Sequence, residues 1–162
     1  MSSEQLNGLY QQLILDHSKS PHGRVTLEHP TASSHQLNPT CGDEITLSIQ
    51  VDAGTITRVG WEGHGCTISQ SSASLLSSLV EGREVDDTRL LLEEFRTALR
   101  SRGAIELDEE RFGDAIALNG VSRYVARVKC AMLAWVALEH ALAGTGGSSS
   151  PRGGSSSPRG GS

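Results

Sequence analysis

Three cysteines and one aspartate are the residues whose types and spacing could support metal or thiol chemistry. Cys41 lies in NPTCGDE, Cys66 in WEGHGCTIS and Cys130 in ARVKCAML. A structural cysteine usually lies among apolar neighbours, whereas glycine, charged and polar residues surround these three. Asp43 follows Cys41 by two positions, and Gly42 between them allows both side chains to converge on one point. We therefore predict that the three cysteines share a site.

This set of side chains is compatible with more than one kind of chemistry. Three thiolates and one carboxylate would complete a tetrahedral zinc shell, which could be reactive or could only hold the fold together. Soft sulfur ligands also suit an iron–sulfur cluster. Taken alone, Asp43 is more typical of a turn residue that is hydrogen-bonded to its own backbone.

Nearby groups favour the thiolate form of these cysteines. Cys66 is predicted at a helix N-terminus, where the helix dipole stabilises an anion. Arg127 and Lys129 place cations next to Cys130. His64 is the histidine nearest to a cysteine, but its flanking glycines favour an exposed hydrogen-bonding role over metal ligation. His17 is predicted to belong to a partner-facing N-terminal segment.

Composition excludes several classes of protein. The chain has 162 residues, a net charge of −5 and an aromatic content of 4%, so its core must be mostly aliphatic. No apolar run approaches the ~18 residues of a membrane span, and the N-terminus does not resemble a secretory signal. The acidic balance argues against nucleic-acid binding, and three scattered cysteines argue against a disulfide framework. We expect a cytoplasmic protein without nucleic-acid or membrane partners.

The chain divides into a domain and a tail. Residues 144–162 read GTGGSSSPRGGSSSPRGGS, which contains SSSPRGG twice and lacks any large apolar side chain. Such a segment cannot repay the entropy of ordering, so we predict a disordered low-complexity tail. Two of the 14 basic residues fall in it, and the predicted domain, residues 1–143, therefore carries a net charge of −7.

Hydrophobic periodicity predicts a helix, then strands, then further helices. Apolar residues recur at helical spacing within Ser2 to Ser18, and a strand is possible near Ser33 to Leu37. Glu44 to Val51 alternates strictly, as a half-buried strand does. After the turn signal at residues 52–54, the strand Thr55 to Glu62 is out of phase at its start, which indicates a bulge.

Helical patterns dominate the rest of the chain. One helix ends near Gly82, and Asp86 or Asp87 is the predicted cap of the next. Residues 101–120 read as irregular, and the last helix is predicted from about Tyr124 to Leu142. Because strands precede most of the helices, the fold class is α+β, with a small antiparallel sheet of about three strands packed against several helices.

The motifs in these elements resemble one known family. The stretches LYQQLILDHSKSPHGR, NPTCGDEITL, GHGCTISQSSASLL and ARVKCAMLAWVALEHAL are similar to the SufU proteins, a branch of the IscU/NifU N-terminal-like family of iron–sulfur cluster biogenesis. With the chain between them, these stretches cover nearly all of residues 5–143. The elements C-G-D, G-C-x-I-S and R-V-K-C occur in the family's order.

The resemblance implies a zinc site and a partner. By family analogy, Cys41, Asp43, Cys66 and Cys130 bind zinc, and a SufS-type cysteine desulfurase supplies persulfide sulfur. Cys41 corresponds to the sulfur acceptor, which is released from zinc when the partner docks and provides a histidine. Arg127 matches a basic residue near that site. The implied activity is a zinc-dependent sulfurtransferase that precedes downstream Suf scaffold proteins.

Three features separate this chain from other relatives. Lys129 stands before the third cysteine, where classical scaffolds have histidine, and the stretch between Cys66 and Cys130 is longer than theirs. Both features favour sulfur transfer over an iron–sulfur cluster scaffold, which is the alternative function. A non-catalytic module in which zinc only holds the fold is a further alternative. Val125 replaces a proline common in relatives, which leaves the start of the last helix open.

Overall fold

The computed structural model describes residues 3–39 and 42–145, and it describes side chains for residues 8–39 and 42–144. Cys41 and most of the predicted tail, residues 146–162, lie outside the described residues. The predictions for those two regions therefore stay predictions.

Three antiparallel strands form one sheet in the order β1-β2-β3. They are β1 (Ala32–Asn38), β2 (Asp43–Asp52) and β3 (Thr55–His64). Along β2, Ile45, Leu47 and Ile49 are buried and alternate with partly exposed residues, as the sequence pattern predicted. Val51 pairs with Ile56 whereas Gln50 pairs with Arg58, so the predicted bulge is confirmed.

The described residues also form five α-helices. They are α1 (Ser3–Lys19), α2 (Thr67–Val80), α3 (Val85–Leu99), α4 (Glu109–Phe112) and α5 (Val125–Thr145), and a 3₁₀ segment (Gly113–Val121) precedes α5. No helix in the described part of the chain has both the length and the apolar character needed to cross a membrane. The predicted α+β class with a three-stranded antiparallel sheet is confirmed.

Helix α5 lies at the centre of the molecule, where it packs against β1, β2 and α2. Its Trp135 stacks on Phe95 of α3 with ring centroids 3.6 Å apart. The indole Nε1 of Trp135 donates to the Oγ of Ser72 in α2 at 2.9 Å, and that hydroxyl donates to the carbonyl of Ala131 at 2.6 Å. These contacts fix the position of α2 relative to α5, and with it the position of Cys66, at the start of α2, relative to Cys130 in α5.

Two predictions for the region after residue 82 were wrong. Helix α3 begins at Val85 with Glu84 as its N-cap, because the backbone before it is hydrogen-bonded to the hairpin: Val85 N donates to Gly54 O at 2.8 Å. Asp87 instead accepts hydrogen bonds from Arg83 and Arg111, and the bond from Arg83 is the main cause of its lowered pKa.

The segment predicted as irregular also contains regular structure. Helix α4 occupies 109–112, and the 3₁₀ segment occupies 113–121. Asp108 caps α4 by accepting from Glu110 N at 3.4 Å, and the side chain of Asn119 accepts from Leu107 N at 2.7 Å. Side-chain bonds of this kind stabilise short turns that apolar periodicity does not reveal.

Candidate metal centre

Three elements bring two thiols and one carboxylate together. Asp43 is the first residue of β2, Cys66 directly precedes α2, and Cys130 lies in the second turn of α5. One ligand atom from each of the three side chains lies within 4.8 Å of the others. The sequence separates these residues by 23 and then 64 positions, so the fold alone creates the cluster.

Cys66 is held at the N-terminus of α2. It is the N-cap of this helix, and its Sγ accepts a hydrogen bond from Ser69 N at 3.4 Å. Its own backbone N–H donates to Oδ1 of Asp43 at 3.0 Å, and its Sγ lies 3.8 Å from Oδ2. The predicted position at a helix N-terminus is confirmed, and such a position stabilises a thiolate.

Gly65 is required for the close approach of these groups. A Cβ at position 65 would lie 2.6 Å from Oδ1 of Asp43 and 2.9 Å from the Oγ of Ser69. Any larger residue would therefore displace the carboxylate that anchors the backbone of Cys66. The sequence indicates only that a glycine here allows a close backbone approach, and it does not reveal the specific contact with Asp43.

The carboxylate of Asp43 is buried without a cationic neighbour. The residue is 1% exposed, and no lysine, arginine or histidine nitrogen in the described part of the chain lies within 4.0 Å of its oxygens. A buried carboxylate is costly unless a positive charge compensates it. The interpretation as an ordinary turn residue does not fit, because its carboxylate bonds to Cys66 rather than to its own turn. A metal cation would supply the missing charge.

Cys130 is more deeply placed than its sequence context suggested. It is 6% exposed, and its Sγ lies 3.7 Å from the carbonyl oxygen of Ala126 in the same helix. Helix α5 begins at Val125, close to its predicted start near Tyr124, so Cys130 lies in its second turn. Its neighbours Arg127 and Lys129 are exposed.

The structure describes Pro39 and Gly42 but neither Thr40 nor Cys41. Gly42 has a φ of +72°, a conformation that glycine adopts without strain, and its N–H donates to Asn38 O at 2.8 Å. Cys41 is two residues from Asp43 in the chain, and its predicted role as a fourth ligand stays a prediction.

The histidines take no part in the described cluster. The side chain of His64 is 71% exposed and its Nε2 lies 3.8 Å from a carboxylate oxygen of Glu44, so its predicted exposed role is confirmed. His17 is half-buried, and its Nδ1 lies 2.7 Å from the Oγ of Ser74 in α2. That its N-terminal segment faces a partner stays a prediction.

Arg127 lies on the solvent side of α5, one turn before Cys130. Its guanidinium lies over the ring of Tyr124, with Cζ 5.3 Å from the ring centroid. Among the described residues, no carboxylate lies within ion-pair distance of Arg127. Its positive charge is therefore available to an incoming anion.

One known protein family matches most of this chain. The family model described as the NifU-like N-terminal domain matches residues 9–143. The chain belongs to the NifU-like N-terminal domain family. This membership confirms the resemblance that the cysteine motifs indicated.

Relatives within the NifU-like N-terminal domain family have two kinds of name. The chain is 35% identical to the "Zinc-dependent sulfurtransferase SufU" of Bacillus subtilis, over 89% of this chain and 96% of the relative. It is 36% identical to the "Iron-sulfur cluster assembly scaffold protein IscU" of Streptococcus pyogenes, over 88% of this chain and 87% of the relative. Family membership alone therefore does not choose between transfer and scaffolding.

A solved structure supports the same architecture. The putative iron–sulfur cluster assembly scaffold protein for the SUF system from Fervidobacterium islandicum superposes with a TM-score of 0.68 at 34% identity, covering 87% of this chain and 99% of that one. The sheet and helices therefore have the architecture of the NifU-like N-terminal fold.

Proposed function

We propose that this protein is a zinc-dependent sulfur acceptor in iron–sulfur cluster biogenesis, which takes persulfide sulfur from a SufS-type cysteine desulfurase onto Cys41. The observation that carries the proposal is the convergence of Asp43, Cys66 and Cys130 within 4.8 Å around a buried carboxylate that has no described cationic neighbour. The similarity to a relative named as a zinc-dependent sulfurtransferase supports it. The protein would act in the cytoplasm and pass sulfur towards downstream Suf scaffold proteins.

The chemistry of the donor set fits zinc. Cys41, Asp43, Cys66 and Cys130 would supply three sulfur atoms and one carboxylate oxygen, a composition within the range of tetrahedral zinc sites. When bound, zinc keeps its thiolate ligands deprotonated at neutral pH and has no redox chemistry of its own. The Asp43 carboxylate, already bonded to the backbone of Cys66, would then have its charge compensated.

The fold holds two of the three cysteines, Cys66 and Cys130, through described contacts. The Sγ of Cys66 accepts a backbone hydrogen bond at the start of α2, and Cys130 is buried inside α5. Cys41 instead belongs to the short connection between β1 and β2. We assign Cys66 and Cys130 to hold the metal, and Cys41 to leave it and react.

The transfer step is a thiol–disulfide-type exchange at sulfur. The thiolate of Cys41 attacks the outer sulfur of the desulfurase persulfide and forms a new sulfur–sulfur bond. The original bond of the persulfide breaks, and the cysteine of the desulfurase leaves as a thiolate. Two electrons are redistributed among the three sulfur atoms, so the step needs no external oxidant. The exposed charge of Arg127 would stabilise these anionic groups as they approach.

Scaffolding of an iron–sulfur cluster on the same ligands is the second candidate. It is supported by the relatives named as scaffolds and by the affinity of iron–sulfur clusters for thiolates. Lys129 argues against it, because an ammonium cannot act as the ligand that a histidine before the third cysteine could provide. A third candidate, a module in which zinc only supports the fold, requires no reactivity of Cys41.

One experiment separates these three functions. A desulfurase assay with cysteine as substrate is run with and without the zinc-loaded protein, and the bound zinc, iron and sulfide are measured in parallel. We expect about one zinc per chain, and stimulation that Cys41→Ala abolishes while the circular dichroism spectrum is retained. Thr40→Ala is the matched control in the same loop and should stimulate normally. Bound iron and sulfide would support the scaffold, and full stimulation by Cys41→Ala would disprove the acceptor assignment.

A further inference from the structure

A groove with a volume of about 510 Å³ lies between the end of β1 and the first half of α5. Leu37 and Asn38 line it from β1, Val128 and Val136 line it from α5, and Arg100 lines it from the chain that follows α3. None of the three residues of the candidate metal centre lines it. This α5–β1 groove is therefore a separate feature of the surface.

The α5–β1 groove has the length of a short extended peptide. Helix α5 runs alongside β1 in the opposite direction, because a Cβ at Gly144 would lie 3.7 Å from the Cβ of Ala32, whereas Lys129 lines the groove at the other end of the strand. The lining residues of α5 extend from Val125 to Val136, which is about 16 Å at ~1.5 Å per residue. An extended chain covers that distance with about five residues.

The strand that borders the groove has a neighbour on one side. β1 pairs with β2, and no other strand in the described part of the chain pairs with it. The outer edge of a strand presents backbone N–H and C=O groups to which an extended peptide can bond as an added strand. A peptide at this edge directs alternate side chains towards the space between β1 and α5.

The lining of the groove is mostly apolar. Leu99, Met132 and Leu133 are each 7% exposed or less, so they form its inner surface. Leu37 is 55% exposed and Val125 is 57% exposed, and apolar side chains of a bound peptide would remove both from water. Burial of this kind favours binding.

The charges of the groove are all positive among its described residues. Arg100, Arg102 and Lys129 line it and are exposed, and no described carboxylate lies within 4.0 Å of their charged nitrogens. This local positive charge occurs in a chain whose net charge is −5. It complements an acidic partner and disfavours a second copy of this chain, because a two-fold contact would bring the same cations face to face.

We propose that the α5–β1 groove binds an extended acidic segment of a partner protein. The segment adds to the outer edge of β1, places apolar side chains between β1 and α5, and directs carboxylates to Arg100, Arg102 and Lys129. Its backbone, its apolar side chains and its charge each match a different observation. The inference does not rest on the proposed function, because no metal ligand and no reactive sulfur takes part in it.

Binding is tested with the peptide EVVEVEE, blocked at both ends, which has the seven-residue length of β1 and carries valine and glutamate on both faces. It is titrated into the full-length protein and followed by calorimetry. In one matched peptide lysine replaces glutamate. Another is methylated on alternate backbone nitrogens, in each of the two registers, because an added strand points every second N–H at its neighbour. We expect the acidic peptide to bind more weakly as salt rises, and the lysine peptide and one methylated register to lose binding.

Two variants test the residues of the groove. Arg100→Ala should weaken the acidic peptide at least about threefold, since an exposed charge pair contributes modestly. Leu37→Ser should weaken it at least about fivefold through loss of apolar contact. The matched controls are Arg58→Ala on β3, which is also exposed, and Leu90→Ser on α3, where Leu90 is 63% exposed. Both controls should leave the affinity unchanged.

Several results would overturn the inference. Equal binding of the lysine peptide, or unchanged affinity in Arg100→Ala, would mean that the groove does not recognise negative charge. Equal binding in both methylated registers would mean that no strand is added to β1. Absence of peptide binding would also overturn it, and binding of anionic phospholipid vesicles or a dimer lost in Leu37→Ser would then identify a lipid surface or a second copy as the occupant. None of these titrations contains the desulfurase, so a failed proposed function would appear separately, in the stimulation assay.

Discussion

At the residue scale, the candidate metal centre depends on contacts around Asp43. The sequence predicted a shared site because the C-G-D triplet and the contexts of Cys66 and Cys130 are unusual for structural cysteines. The structure brings Asp43, Cys66 and Cys130 within 4.8 Å, and the membership of Cys41 stays a prediction. The sequence could not reveal that Asp43 bonds to the backbone of Cys66, since that contact joins β2 to α2 and depends on the space above Gly65. The deep burial of Cys130 was also hidden, because its sequence neighbours Arg127 and Lys129 are exposed.

The substitution Asp43→Asn tests the role of this carboxylate. Asparagine keeps an oxygen that can accept from Cys66 N but loses the negative charge next to the metal. We expect zinc affinity to fall at least about tenfold with little change in fold, since ligand and supporting groups commonly contribute that much. Competition with a chromogenic chelator measures the affinity.

Asp52→Asn, in the exposed hairpin turn, is the control for loss of one negative charge. Unchanged zinc affinity in Asp43→Asn would mean that this carboxylate is not a ligand.

At the scale of elements, local patterns predicted the sheet well and helix starts less well. The alternation of buried and exposed residues in β2 and the bulge opposite the start of β3 each arise within one strand that has one face on the core. The sequence pattern therefore predicts both directly. The start of α3 depends on hydrogen bonds between Val85 and the hairpin, and a tertiary contact of this kind overrides the capping preference of Asp86 or Asp87. The inward position of His17 likewise depends on where α1 meets α2.

The contact of His17 with Ser74 predicts a pH-dependent contribution to stability. Burial lowers the pKa of His17 below its ordinary value of 6.5, and the nearby Asp114 opposes this shift only in part. The folded state therefore disfavours the protonated ring, so its contribution is fully present above pH 6.5 and is lost as the pH falls below that value. We expect His17→Gln to reduce the loss of stability between about pH 7.5 and pH 5.5, measured by urea unfolding.

His29→Gln is the control, because His29 is exposed. The same dependence on pH in wild type and His17→Gln would show that His17 does not contribute to it. Comparing variants at equal zinc content removes the contribution of metal binding from the difference.

At the scale of the whole molecule, α5 belongs both to the hydrophobic core and to the candidate metal centre. The same helix that stacks Trp135 on Phe95 carries Cys130, so the candidate metal centre is anchored in the hydrophobic core. The α+β class was predictable because strands precede most of the helices, and the family motifs added the expected site.

The most direct test of the account is to locate the transferred sulfur. The zinc-loaded protein is incubated with the desulfurase and cysteine, alkylated, digested and analysed by tandem mass spectrometry. The account predicts one additional sulfur atom on Cys41 and none on Cys66 or Cys130. Additional sulfur on Cys66 or Cys130 with Cys41 unmodified, or stimulation of the desulfurase with no cysteine modified, would contradict it.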